Sequence, residues 1–401
     1  MWLDDLRPLI LGPPGASRRL SEGAFRPFGI SRVRTDAGAV EIRETVAATL
    51  PFGVLRTFTR ADAGIANGSG TESGWHTHRK ILVVAPLAGG YPFLLRDLVV
   101  ALLGIADEVG ITEWPNARFV PKSAGTFTLA DNCIETAQMI RAMAGVFAAE
   151  KADAAEPEAP LHVIGICQGA VPALAATALL AETGPMPASL SLIGGPINPA
   201  RNPTRLWRML QNRAMEGLED QVLETIAPAF PGAGRRVFPS WRQTDTFALY
   251  LWRQGMNGGS LPFQLTFDDG DDPWRYPLSR LCWTLMDVPA EFFSSNVATI
   301  FRANALAQGL LDIHGHRVRP QLLRRTALLT VEGEEDDISA PTQTEAAHGL
   351  CPNIPRRLHQ HVLVPRAGHF ALFYGQSMRQ NVLPAIAQTQ LLGEAEQINW
   401  A

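Results

Sequence analysis

A chain of 401 residues with 46% hydrophobic content can bury a large core, and a formal net charge of −4 gives no basic excess for a nucleic-acid partner. Its four cysteines, Cys133, Cys167, Cys282 and Cys351, lie far apart, which argues against a disulfide framework and against a zinc site. The start, Met1 to Arg7, lacks the basic region and long apolar run of a signal peptide, and no run reaches membrane-spanning length, so a soluble cytoplasmic protein is expected.

In chain order, residues 1–45 mix short apolar runs with Pro, Gly and Arg and read as loosely packed helix and loop. Glu41 to Arg60 groups Val, Leu and Phe around Pro51-Phe52-Gly53, the pattern of a hairpin. Ala61 to Gly74 reads as an exposed loop, and His76 and His78 beyond it as a solvated loop end, since no third metal ligand is evident. Lys80 to Ala85 is a buried strand by composition and runs into the small-residue loop Pro86 to Tyr91. A helix over Phe93 to Ala106, a strand over Val109 to Trp114 and a long helix over Thr128 to Ala149, with Asp131 near its start, follow. Lys151 to Pro160 reads as a charged surface loop. Leu161 to Ile166 is a strand leading into Ala- and Leu-rich helix, and Ser189 to Gly194 is the next strand.

Strands alternating with helices at this spacing predict a mostly parallel sheet of βαβ units. The alternation stops near Pro196 and returns at Thr326 to Val331, followed by a strand-like run at His361 to Val364 and a helix over Ser377 to Leu392. The block between, 196–325, carries Trp207, Trp241, Trp252, Trp274 and Trp283 and reads as a mainly helical lid, with His314-Gly315-His316 a hairpin turn. The expected organisation is therefore an N-terminal extension with the first strands (1–79), a core in two parts (80–195 and 326–401) and an inserted cap (196–325).

Between the Leu161–Ile166 strand and its helix stands Gly165-Ile166-Cys167-Gln168-Gly169, a G-x-S-x-G elbow with Cys in place of Ser. Glycines on both sides keep side chains away from a sharp strand-to-helix turn, and a helix N-terminus favours a thiolate. A thiol nucleophile needs a base and a carboxylate to orient it. Downstream, strand ends supply Asp336 or Asp337 and then His369, the only histidine in a Gly-His-Phe turn after a late strand. Nucleophile, acid, histidine is the chain order of an α/β-hydrolase. Asp336 is preferred, because it lies nearer the strand end. His348, His359 and His361 read as surface or hydrogen-bonded core residues. The backbone N–H of Gln168, with that of Leu87 or Ala88 after the early strand, is assigned to an oxyanion hole. The alternative reading of Cys167, a buried structural thiol in a tight turn, is weakened by these downstream partners.

Beyond the elbow, the runs Leu82–Gly89, Thr112–Pro121, Gly165–Pro172, Ile193–Pro199, Phe230–Pro239, Asp287–Phe293 and Arg324–Ser339 resemble the intracellular poly(3-hydroxybutyrate) depolymerases, cysteine-type relatives of the α/β-hydrolases. The resemblance spans roughly residues 45–385. It implies an α/β-hydrolase fold with an inserted cap, and it carries the family's triad onto Cys167, Asp336 and His369. It also implies hydrolysis of polyhydroxyalkanoate at a granule surface in the cytoplasm, with no metal or organic cofactor. One departure is Gly169, where many members carry Pro after the Cys-Gln pair. Other readings open at this level are a polyhydroxyalkanoate synthase-like acyltransferase, a generic esterase or thioesterase, and a catalytically dead granule-binding protein.

Overall fold

The computed structural model describes residues 28–35, 38–63, 79–87, 91–145, 159–182, 184–212, 214–243 and 285–399. His76, His78, Ala88, Cys282, Trp252, Trp274, Trp283 and nearly all of the loop before Pro160 lie outside them.

Nine strands form the main sheet. In chain order they are β1 (Arg32–Thr35), β2 (Gly38–Thr49), β3 (Val54–Arg60), β4 (Lys80–Val84), β5 (Glu108–Glu113), β6 (Leu161–Ile166), β7 (Ser189–Ile193), then, beyond the interposed block, β13 (Ala327–Gly333) and β14 (His359–Val364). Their spatial order is β1-β2-β3-β5-β4-β6-β7-β13-β14. From β5 to β14 every pairing is parallel, whereas β1, β2 and β3 pair antiparallel at one edge. This is an α/β-hydrolase fold. The parallel strands are covered on both faces, which is why β6, β7 and β13 are buried along their whole length rather than alternating between buried and exposed.

The helices α1 (Tyr91–Leu102), α2 (Leu129–Met143), α3 (Ala170–Leu180) and, at the C-terminus, α8 (Leu383–Ile398) accompany this sheet. Helix α2 starts where the sequence puts it. Thr128 accepts the Asp131 N–H and Asp131 accepts the Thr128 N–H, a capping box that stabilises the helix by about 1 kcal/mol. Helix α3 is buried all round, so its Ala- and Leu-rich composition shows no polar stripe.

One expectation is corrected. Residues from Arg32 onward are strand, not helix and loop. Strand β2 alternates polar residues on an exposed surface, and its Arg and Glu side chains hid the period from a reading based on apolar runs. Among its described residues, the block 196–325 adds short strands to its helices. Beside α4 (Arg205–Gln211), α5 (Met215–Val222) and α6 (Ala290–Asn296) it holds a small antiparallel sheet of β8 (Glu224–Thr225), β9 (Arg236–Phe238) and β10 (Val288–Pro289). Strands of two or three residues are too short to show a period. Asp287 fastens this region to the core side. It is buried, pairs with Arg118 at 2.6 Å and accepts the Ser240 N–H at 2.9 Å. The expected hairpin turn is present between β11 (Asp312–Ile313) and β12 (His316–Arg317), with His314 and Gly315 both at positive φ.

The chain runs from β4 outward to β5, then returns to β6 on the other side of β4. Such a reversal opens a crevice at the carboxyl ends of the two strands, the place where sheets of this kind bind ligands. Cys167 lies there, one residue past β6, and Leu87 lies there, three residues past β4.

Candidate active site

At the end of β6 the backbone leaves extended geometry at Ile166 and passes through Cys167 at φ 52° before entering α3. A left-handed non-glycine residue costs on the order of 1–3 kcal/mol and persists only where its surroundings enforce it. Here they do. A Cβ on Gly165 would meet the Ala170 Cα at 2.6 Å, and one on Gly169 would meet the Val84 carbonyl oxygen at 2.3 Å. A Cβ on Gly195 would meet the Ala170 Cβ at 2.3 Å. The elbow is thus pressed against β4 on one side and the end of β7 on the other. Gly169 accordingly admits no larger residue here, proline included, without a shift of β4.

His369 opens a short 3₁₀ turn after β14 and is buried, as is Asp336. Asp336 Oδ2 lies 2.7 Å from His369 Nδ1, and its Oδ1 accepts the N–H groups of Ile338 and Ser339, each at 2.8 Å. The carboxylate is therefore locked by its own loop, and it fixes the imidazole with Nδ1 protonated. The ring edges of Phe370 and Phe373 pack against His369, with centroids 5.4 and 5.5 Å away. Gly194, at φ 57°, brings bare backbone against the ring; a Cβ there would lie 3.2 Å from the His369 Cε1. Nε2 is buried without a hydrogen-bond partner, and the Cys167 thiol lies near enough to the ring to raise its affinity for a proton. Burial alone would lower the affinity of His369 for a proton. Asp336 first and Cys167 second outweigh it, by charge and by hydrogen bonding, and hold the pKa well above the ordinary imidazole range. The structure thus brings Cys167, His369 and Asp336 together and leaves Asp337 exposed.

Of the three oxyanion candidates, Ala88 lies outside the described residues. The Leu87 N–H donates to the side-chain oxygen of Gln168 at 3.0 Å. A substrate oxygen can use that donor only when the Gln168 side chain gives it up. The Gln168 backbone N–H follows Cys167 directly in the elbow turn.

Sequence reasoning missed Glu332. Buried at the end of β13, it accepts the N–H groups of Thr344 at 2.6 Å, Glu345 at 2.9 Å and Thr342 at 2.7 Å. Thr344 in turn bonds both the N–H and the carbonyl of Gly195, each at 2.9 Å. Glu332 thereby supports the backbone beneath Cys167 and His369. The signal was a carboxylate inside an otherwise apolar strand, Leu328-Leu329-Thr330-Val331-Glu332, which has to find buried partners. The Gln168 side chain was missed too, because its partner lies 81 residues away.

Residues 194–391, just under half of the chain, match the family described as "PHB de-polymerase C-terminus". No curated protein matches. Among solved structures, the chain is similar to a soluble variant of monoglyceride lipase from Saccharomyces cerevisiae (12% identity, 88% of this chain and 95% of that one, TM-score 0.45). It is also similar to carboxyl esterase 2 from Tuber melanosporum (12% identity, 95% and 96%, TM-score 0.43). The family match and the fold agree on a carboxylic ester hydrolase.

Proposed function

We propose that the chain is a cysteine-type poly(3-hydroxybutyrate) or polyhydroxyalkanoate depolymerase acting on stored polymer in the cytoplasm. The observation that carries this reading is the Asp336–His369 pair beside Cys167 in the elbow, in a chain whose second half matches the depolymerase family. His369 Nε2 takes the Cys167 thiol proton, the sulfur attacks the ester carbonyl carbon, and the tetrahedral oxyanion is received by the Gln168 N–H and by a donor from the Leu87–Ala88 loop. His369 Nε2 delivers its proton to the leaving alkoxide as the C–O bond breaks, which leaves a thioester on Cys167. His369 then takes a proton from water, whose oxygen attacks the thioester and releases a 3-hydroxyacid monomer or oligomer with the thiol restored. Each step needs only side chains and water, so no cofactor is required. Residues 196–325 act as the cap, and exposed Leu206, Met209 and Trp241 on that segment suit contact with an apolar granule.

The test is incubation of the purified protein with native amorphous granules, following soluble 3-hydroxybutyrate. Release by the wild type and none by Cys167→Ala is the expected result. CoA release from 3-hydroxybutyryl-CoA with polymer extension, and no soluble acid from granules, would establish an acyltransferase instead.

A further inference from the structure

On the sheet edge formed by β13 and β14, parallel pairing places Thr330 opposite His361. His359 is two residues back on β14, and so on the same face as His361. His348 belongs to the short helix α7 (Ala347–Leu350). These residues form one hydrogen-bonded chain. His359 Nε2 lies 3.0 Å from the Ile354 carbonyl oxygen, and His359 Nδ1 lies 2.6 Å from His348 Nδ1. His348 Nε2 lies 2.8 Å from Thr330 Oγ1, which lies 2.9 Å from His361 Nδ1.

The protons in this chain can be assigned in sequence. A carbonyl only accepts, so His359 Nε2 carries hydrogen and, in the neutral ring, its Nδ1 accepts. His348 Nδ1 then donates and its Nε2 accepts. With Nδ1 donating and Nε2 accepting, the His348 ring is the neutral tautomer. Thr330 must donate its hydroxyl proton to His348, so its oxygen accepts from His361 Nδ1–H. The lone pair of His361 is left on Nε2, which lies 3.9 Å from Glu332 Oε2.

Glu332 has about four lone-pair positions, of which backbone N–H groups occupy three, two on Oε1 and one on Oε2. The remaining one is on Oε2, the oxygen nearest His361. Glu345 completes the group: one ligand atom from each of Glu332, Glu345 and His361 lies within 4.8 Å of the other two. Among the described residues, three electron-pair donors converge here with no donor proton between them. A cation about 2.0–2.2 Å from each would place them roughly 3.3–4.4 Å apart, which the half-buried Glu345 can reach by a small side-chain movement.

We propose that Glu332, Glu345 and His361 form a binding site for a divalent transition-metal cation of the zinc class, with His361 oriented by the Thr330–His348–His359 relay. One imidazole and two carboxylates are the donor set of a borderline cation, whereas Ca²⁺ or Mg²⁺ takes oxygen alone. The relay is what a ligating histidine requires of its other nitrogen. The site belongs to the scaffold and supplies nothing to the thiol chemistry. Through Glu332, Thr344 and Gly195 it stiffens the backbone that carries the elbow.

The probe is Zn²⁺, measured by competition with a chromophoric chelator in the full-length Cys167→Ala protein, so that the thiol cannot contribute a ligand. One equivalent should bind, raising the melting temperature, and Ca²⁺ should raise it far less. His361→Ala and Glu345→Gln lie at exposed and half-buried positions and should fold. Each should weaken Zn²⁺ binding by roughly tenfold or more and abolish the thermal shift. No saturable Zn²⁺ binding would overturn the proposal and assign the Glu332–His361 approach to a proton. Binding that is unchanged in both variants would overturn it as well.

Discussion

Asp336 grips His369 with one carboxylate oxygen, at 2.7 Å, while its other oxygen is held by two backbone N–H groups of its own loop. An amide at this position would have to surrender one of these roles, or present an N–H to a ring nitrogen that already carries one. Asp336→Asn is therefore expected to lower kcat on the order of 10³–10⁴-fold, the loss typical when a triad carboxylate is replaced and the wrong tautomer results. Asp337→Asn, at an exposed neighbour, should change kcat by less than about threefold. Steady-state rates on amorphous polymer for both variants check this, and the reverse ranking would give Asp337 the role.

The three described cysteines differ in surroundings. Cys133 is fully buried and its thiol is pushed far up, by burial first and Asp131 second. Burial pushes Cys351 up to about 12. Cys167 is half-exposed beside an imidazole that favours its proton. Since the thiolate is the species that alkylates, iodoacetamide should label Cys167 well before Cys133 or Cys351, with activity lost in step. Peptide mapping across a time course measures it. Labelling of Cys133 or Cys351 first, with activity retained, would remove Cys167 from the nucleophile role. Cys167→Ser should keep a trace of activity, because the base and the oxyanion donors remain.

The parts of this molecule legible in the sequence were the local ones. The Gly165–Gly169 elbow joins a strand to a helix within a few residues, and buried parallel strands announce themselves as apolar runs, as at Leu161–Ile166 and Ala327–Gly333. The choice of Asp336 over Asp337 rested on nearness to a strand end. The carboxylate that lies against His369 is that of Asp336, and it is held there by contacts the sequence does not display, those with the Ile338 and Ser339 N–H groups. What stayed hidden depends on residues far apart in the chain. Glu332 acts through Thr344 on Gly195, and Thr330 links His348 to His361. No spacing rule relates positions that only the pairing of β13 with β14 and the folding back of the next loop bring together.

Gly169 gives a test of how tightly the elbow is held. The contact that excludes a side chain there is a backbone carbonyl, Val84 at 2.3 Å from an added Cβ, and a central strand cannot move aside cheaply. Gly169→Ala should destabilise the fold by about 1–3 kcal/mol in denaturant melts and cut activity further by displacing the Gln168 N–H. Gly217, inside α5 and with nothing within 4 Å of an added Cβ, is the control, and Gly217→Ala should leave activity unchanged and stability unchanged or raised by up to about 1 kcal/mol. Equal behaviour of the two variants would show that β4 yields to the elbow.

Glu135 carries a pH-dependent liability distant in role from the triad. It is buried on α2, where one oxygen accepts the Phe52 N–H at 3.0 Å and the other has no partner. Burial raises its pKa from 4.5 to about 7, against a smaller lowering by the Phe52 hydrogen bond. Between these two values the folded protein holds a proton that the unfolded chain releases. Stability from this group is thus present in full below pH 4.5, falls as pH rises, and is gone once pH passes about 7. Above that, the native state carries an ionised buried carboxylate. Glu135→Gln keeps an oxygen for the Phe52 N–H and removes the ionisation. The variant should match the wild type at or below about pH 4.5 and melt at a higher temperature at pH 8, with the gap opening between about pH 4.5 and 7 and level above that. Thermal melts over that range decide it. A gap that stays constant with pH would mean that Glu135 does not titrate there, and one that widens toward acid would mean that its carboxylate is stabilised rather than penalised by the fold.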